Sequence, residues 1–204
     1  MVNKARLNSG KGVTGVVLAG GMGSRMGGRD KGLVEVAGRP MARRVLETLA
    51  PQVEAVRINA NRELETYRGW GVPVDIDRHP GYLGPLAGVA TALAAAGTDL
   101  VAVVPCDAPL LPGDLVRRLR RALEDEEAEI AVACAHGRWQ PVFALLRREL
   151  LADLEARIAS GQRGLHRWYR TRKTAEADFE DEARCLTNVN TAEEAVEVER
   201  WLLP

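Results

Sequence analysis

Cysteine is scarce in this 204-residue chain: three residues, an odd number. Cys106, Cys134 and Cys185 form no C-x-x-C pair, which argues against a zinc site and a disulfide framework; they read as buried, reduced thiols. An excess of either charge is also missing. Lys plus Arg and Asp plus Glu each total 28, and that balance speaks against a nucleic-acid partner, which calls for a basic surplus. No apolar run approaches membrane-spanning length, and residues 1–11 lack the apolar centre of a signal peptide. No membrane partner is expected, and the expected compartment is the cytoplasm. The three histidines, His79, His136 and His166, are too scattered to suggest a metal cluster or a triad. Aromatic residues make up only 4%, while Ala, Val and Leu dominate, as in helices packed on a Val-rich sheet. The length suits one domain, residues 1–204, with one sizeable core.

Short apolar runs alternate with helical patterns, which predicts βαβ units and a mainly parallel sheet. Strands are expected at Gly15–Leu18, Leu33–Val36, Val53–Asn59, Val72–Ile76, Leu100–Val104, Ile130–Cys134 and Val142–Leu146. Helices are expected at Met41–Leu49, Leu86–Ala96, Leu115–Leu123, Arg147–Ile158 and Thr191–Leu203, the last with Thr191 as its cap. Pro40, Pro85 and Pro112 fall where a first helical turn tolerates proline. The fold class is α/β, a three-layer α/β/α sandwich.

The richest segment is 18–31, LAGGMGSRMGGRDK, directly after the strand at Gly15–Leu18. Glycines let backbone N–H groups converge on an anion without Cβ interference, and Arg25 and Lys31 complete a phosphate pocket. Neither the P-loop spacing nor G-x-G-x-x-G fits, because Gly28 is followed by Arg29-Asp30 and position 26 is Met. A second segment, 100–109, places Asp107 just beyond the carboxyl end of a buried strand, where open α/β sheets bind ligands. A carboxylate beside phosphates calls for a cation between them, and Mg²⁺ takes one or two carboxylates plus phosphate oxygens. An Asp capping the following turn is the competing reading.

These segments resemble the molybdenum cofactor guanylyltransferases, the MobA family. The pattern L-A-G-G-x-x-x-R-M-G-G-x-D-K-G-L is present as Leu18, Ala19, Gly20 and Gly21, then Arg25-Met26-Gly27-Gly28, then Asp30-Lys31-Gly32-Leu33. P-C-D-x-P stands at 105–109, N-A-N-R at 59–62, G-x-x-V-x-x-D at Gly71, Val74 and Asp77, and G-P-L-A-G at 84–88. N-V-N-T stands at 188–191, with Ala192 in place of the usual proline, and residues 140–145 match a segment that borders the second substrate. The resemblance runs from about Thr14 to the final helix.

It implies a Rossmann-like sheet of the nucleotide-diphospho-sugar transferase type and transfer of GMP from GTP to molybdopterin, releasing pyrophosphate. It assigns Leu18, Ala19, Gly20, Gly21, Arg25, Lys31, Asn59, Asp77 and Asp107 to GTP, with Arg25, Lys31 and Asp107 catalytic. Asp107 would hold Mg²⁺, for which Mn²⁺ is a substitute. Asn188 and Asn190 are assigned to molybdopterin, with helix entry as the competing reading. The N-terminal half would take GTP and Mg²⁺, the C-terminal half molybdopterin. Molybdenum-insertion proteins and molybdoenzyme chaperones are implied partners. A related enzyme using CTP or a sugar-phosphate acceptor, a non-catalytic nucleotide-binding regulator and a glycine-loop oxidoreductase stay as alternatives. In the basic stretch 163–173, an amphipathic helix burying Leu165, Trp168 and Tyr169 is expected, with arginines and aromatics holding an anionic pterin as the competing reading, and Arg117, Arg118, Arg120 and Arg121 read as a solvated helix face.

Overall fold

The computed structural model describes residues 12–21, 30–79 and 84–202. The strands are β1 (Val13–Leu18), β2 (Glu35–Val36), β3 (Arg39–Pro40), β4 (Ala55–Asn59), β5 (Val74–Asp75), β6 (Leu100–Pro105), β7 (Ile130–Ala135), β8 (Arg138–Arg147) and β9 (Thr174–Asp178). The helices are α1 (Met41–Leu49), α2 (Leu64–Arg68), α3 (Pro85–Ala95), α4 (Leu115–Asp125), α5 (Leu151–Ala159), α6 (Leu165–Tyr169) and α7 (Ala192–Leu202).

Seven strands form the main sheet in the order β5-β4-β1-β6-β8-β7-β9. β5-β4, β4-β1, β1-β6 and β7-β9 are parallel; β8 runs antiparallel to both its neighbours. Alternate residues of each strand point to opposite faces. Val17, Ala102, Val104, Ala131 and Leu145 therefore join α1 and α4 in one core, while Val16, Val101, Val103, Val132 and Leu146 join α3, α5 and α6 in the other. The expected three-layer sandwich is the observed architecture.

α1 has the expected bounds because Met41, Ala42, Val45, Leu46 and Leu49 make one buried stripe at helical spacing. α3 is buried all round from Leu86 to Leu93, between the sheet and its neighbours. Its Ala- and Gly-rich sequence permits that close approach. α6 buries Leu165, Trp168 and Tyr169 as expected; Trp168 Nε1 donates to Asp153 at 2.7 Å and Tyr169 Oη to the Pro141 carbonyl at 3.0 Å.

Several expectations need correction. Leu33–Val36 is not a strand of the sheet. Asp30 caps a 3-10 turn at Lys31–Leu33, and β2 then pairs only with β3 in a small ribbon turned by Ala37 and Gly38 at φ +48° and +70°. β7 and β8 form a hairpin rather than a βαβ unit, because His136 and Gly137 (φ +54° and +64°) make a two-residue primed turn. β9 escaped the reading, since its buried residues are alanines, which are poor strand formers. Pro112 lies before α4, whose N-cap is Asp114. Cys106 is buried, but Cys134 and Cys185 are half-buried, because they stand near the ends of elements; all three are free thiols. Arg118 also leaves the solvated face: its guanidinium lies 4.1 Å over the Phe179 ring and bonds Asp181. Among the described residues, no helix is long and apolar enough to cross a membrane.

Candidate active site

β1 organises the site through its last residues. The Leu18 carbonyl accepts the Cys106 N–H at 3.1 Å, and the Ala19 N–H donates to the Asn59 carbonyl at 2.7 Å. The ends of β6 and β4 are thereby held on either side of the glycine segment. Gly20 follows, then Gly21, at which a Cβ would meet nothing within 4 Å. Arg25, with residues 22–29 of the glycine segment, lies outside the described residues.

On the β4 side, three polar side chains lock together. Asn59 is 1% exposed, and its amide donates to Asp77 Oδ1 at 2.9 Å and to the Asp75 carbonyl at 3.2 Å. Asn61 Nδ2 donates to Asp77 Oδ2 at 2.8 Å and to the Gly20 carbonyl at 3.2 Å, while its Oδ1 accepts the Asp77 N–H at 2.9 Å. Asp75 itself is engaged in a two-pronged ion pair with Arg57, at 2.7 and 2.8 Å. A Cβ on Gly20 would fall 2.9 Å from Asn61 Nδ2, and one on Gly88 of α3 would fall 2.7 Å from Asn59 Oδ1. Both glycines are thus required for close approach. Each Asp77 oxygen keeps a further lone pair, so the carboxylate can still accept from a pair of adjacent ring donors.

On the β6 side, Lys31, Asp107 and Asn190 meet. Lys31 Nζ forms an ion pair with Asp107 Oδ2 and donates to Asn190 Oδ1 at 2.7 Å. The Lys31 and Asp107 side chains are 21% and 12% exposed. The Val189 N–H donates to the Asp107 carbonyl at 2.8 Å, which pins the segment 188–190 beside the carboxyl end of β6. Val189 packs with Val36, Met41 and Val198 in a small separate cluster. Thr191 and Glu194 form a reciprocal capping box at the start of α7, at 3.2 and 3.1 Å, and Glu194 also takes the Asn190 N–H.

Lys31 and Asp107 neutralise each other in this arrangement, yet Asp107 Oδ1 is buried with no hydrogen-bond partner. An unpartnered buried carboxylate oxygen is unfavourable, and a divalent cation satisfies it. Among the described residues no group of three or more His, Cys, Asp or Glu could hold a metal ion. A cation on Asp107 therefore fits only the pattern in which phosphates supply most of the oxygens. Cys106 is no nucleophile here: burial first, then the Asp107 and Asp30 charges, push its thiol well above the ordinary range.

The two clusters lie on opposite sides of the β1 end. Asn190 bridges Lys31 and Asn188: its Oδ1 accepts from Lys31 Nζ and its Nδ2 donates to the Asn188 carbonyl at 3.2 Å, while the Asn188 Oδ1 is buried without a partner. Asn61 escaped the sequence reading although N-A-N-R contains it; the i, i+2 spacing with Asn59 was the available signal. Asp30 and its partner Tyr67 also escaped it. Asp30 stands in the D-K-G-L match but was given no role there.

The model of the MobA-like NTP transferase domain matches residues 15–177. The molybdenum cofactor guanylyltransferase of Shewanella sediminis is 46% identical over 182 residues, 89% of this chain and 93% of that relative. Among solved structures, molybdopterin-guanine dinucleotide biosynthesis protein A from Archaeoglobus fulgidus shares the fold with a TM-score of 0.77 at 22% identity, over 93% of this chain and 98% of that one. 4-diphosphocytidyl-2C-methyl-D-erythritol synthase from Anaerococcus prevotii does so with a TM-score of 0.72 at 13% identity, over 94% and 98%.

Proposed function

The chain belongs to the MobA-like NTP transferase family, and on that premise we propose that it transfers GMP from GTP to the phosphate of molybdopterin. It is a nucleotidyltransferase of molybdenum cofactor biosynthesis, a molybdenum cofactor guanylyltransferase like its relatives. The observation that carries the reading at the level of chemistry is the meeting of Lys31, Asp107 and Asn190 at the carboxyl end of β6.

An oxygen of the pterin's terminal phosphate attacks the α-phosphorus of GTP in line. The new P–O bond joins GMP to the acceptor as the bond to the bridging oxygen breaks, and the electron pair leaves with pyrophosphate. A phosphate oxygen is already anionic, so no strong base is required. The protein's task is positioning and charge neutralisation. Lys31 carries the cation that offsets the growing charge of the leaving pyrophosphate. The glycine segment follows the β1 end, and a Cβ on Gly21 would meet nothing within 4 Å, so its backbone leaves room for close approach by the phosphates. Arg25 is proposed as a further cation.

Asp107, with its unpartnered Oδ1, is the residue that would hold Mg²⁺ or Mn²⁺, which supplies Lewis-acid neutralisation of phosphate oxygens. Asn59 and Asn61 orient Asp77, whose carboxylate suits the adjacent N1–H and N2–H donors of guanine. Asn188 and Asn190 face the acceptor half in this reading, in which residues 1–204 act as one domain in the cytoplasm. Molybdenum-insertion and molybdoenzyme chaperone proteins would be its partners.

Thermal stabilisation by GTP, CTP, ATP and UTP with Mg²⁺ tests the base. Selective stabilisation by GTP is expected, and equal stabilisation by CTP would refute guanine recognition. Asp107→Ala is expected to abolish transfer while the protein stays folded; Mg²⁺-dependent activity in that variant would end the metal assignment.

A further inference from the structure

Asp30 and Asp107 are the two buried carboxylates among the described residues, 8% and 9% exposed. Asp107 has a place in the chemistry above; Asp30 has none so far. Burying a carboxylate is unfavourable unless it is hydrogen-bonded. Asp30 Oδ1 accepts the Gly32 N–H at 3.0 Å and the Tyr67 hydroxyl at 2.7 Å. It thereby caps the 3-10 turn whose first residue is Lys31.

Tyr67 is fully buried on α2, with its ring edge-on to Trp70 at a centroid distance of 5.0 Å. Burial holds the phenol protonated, so the hydroxyl is a donor. The backbone of the lysine turn fits closely against that hydroxyl. A Cβ on Gly32 would fall 2.5 Å from Tyr67 Oη and 3.0 Å from Ala42 Cβ. The Tyr67 hydroxyl thus meets the lysine turn twice, through the Asp30 carboxylate and through contact with Gly32. α2 also follows directly on the segment that carries Asn59 and Asn61. One short piece of chain therefore braces both the base pocket and the phosphate lysine.

We propose that Tyr67, acting through Asp30, is a positioning residue for nucleotidyl transfer: its hydroxyl holds the Asp30 carboxylate, and Asp30 holds the turn that aims Lys31 at Asp107, Asn190 and the triphosphate. The proposal rests on the reading of Lys31 as the pyrophosphate cation. A core tyrosine of purely structural value would affect melting alone. A positioning tyrosine acts on phosphate binding and turnover and spares the base.

The test measures binding of inorganic pyrophosphate and of GMP to the full chain by calorimetry, together with kcat and KM for GTP. Tyr67→Phe is expected to weaken pyrophosphate binding and to lower kcat, each about tenfold, the scale of one lost hydrogen bond to a charged group. GMP binding is expected to stay within about threefold, because a single phosphate asks little of Lys31. The double variant Tyr67→Phe with Lys31→Ala is expected to bind pyrophosphate no more weakly than Lys31→Ala alone. Asp30→Asn, which keeps the shape of the side chain, supplies the same comparison should Tyr67→Phe fold poorly. Wild-type pyrophosphate binding and kcat in both Tyr67→Phe and Asp30→Asn, or losses that add to that of Lys31→Ala, overturn the positioning role. Wild-type pyrophosphate binding by Lys31→Ala overturns the assignment of the lysine itself.

Discussion

Replacing Gly88 by alanine sets two effects against each other, and the structure decides the winner. Gly88 lies inside α3, where alanine is favoured over glycine by about 1 kcal/mol. An added Cβ, however, would fall 2.7 Å from Asn59 Oδ1 and 3.1 Å from Leu18 Cδ2. Asn59 is 1% exposed and its amide is committed to Asp77 and Asp75, so moving its oxygen breaks bonds that nothing nearby replaces. Each buried group left unsatisfied costs about 1–3 kcal/mol, and two are at stake. The net expectation is a loss of about 2 kcal/mol, or a Tm lowered by about 4–8 °C for a chain of this size. Because Asn59 also orients Asp77, GTP affinity is expected to fall at least about tenfold, equivalent to one good hydrogen bond to a charged group. Differential scanning fluorimetry gives the first quantity and titration calorimetry the second. Gly97→Ala is the control, since a Cβ there meets nothing within 4 Å. A Gly88→Ala protein that melts higher and binds GTP as tightly as wild type would refute the clash and, with it, the part given to Asn59.

Two further predictions concern stability. The Arg172 guanidinium, with help from the Lys173 N–H, holds Glu129 below the usual carboxylate range; a depressed carboxylate stabilises the fold above its unfolded pKa of about 4.3 and loses that contribution as pH falls through the folded value. The pair is about one-third exposed, so the gap in unfolding free energy between wild type and Glu129→Gln is expected to be about 1 kcal/mol or less at pH 7 and to close toward pH 3; denaturant melts across that range check it, and a gap that widens in acid would contradict it. Thr191→Ala removes one half of the capping box and is expected to cost about 1 kcal/mol, with faster amide exchange confined to α7. Unchanged protection in α7 by hydrogen-exchange mass spectrometry would show that the cap contributes nothing.

Much of this protein was legible locally. The bounds of α1 follow from one apolar stripe, and β6 from five apolar residues ending before Pro105-Cys106-Asp107. Thr191 was readable as a cap because capping depends on side chains within three residues of each other. β9 was not readable, since Ala175 and Ala177 are strand residues only because β7 offers an edge beside them. Nor was Arg118, whose stacking on Phe179 depends on a segment far along the chain.

The sequence by itself determined the α/β class and the ends of the main strands, because periodicity and turn chemistry are short-range, and its resemblance to a known family marked the motif residues near those ends. Only the tertiary structure decided which of those residues meet. Lys31 reaches Asp107, 76 positions away, and Asn190, 159 positions away, and Tyr67 caps the arrangement through Asp30. Strand order and helix packing set those meetings, and neither is written in any single window of the chain.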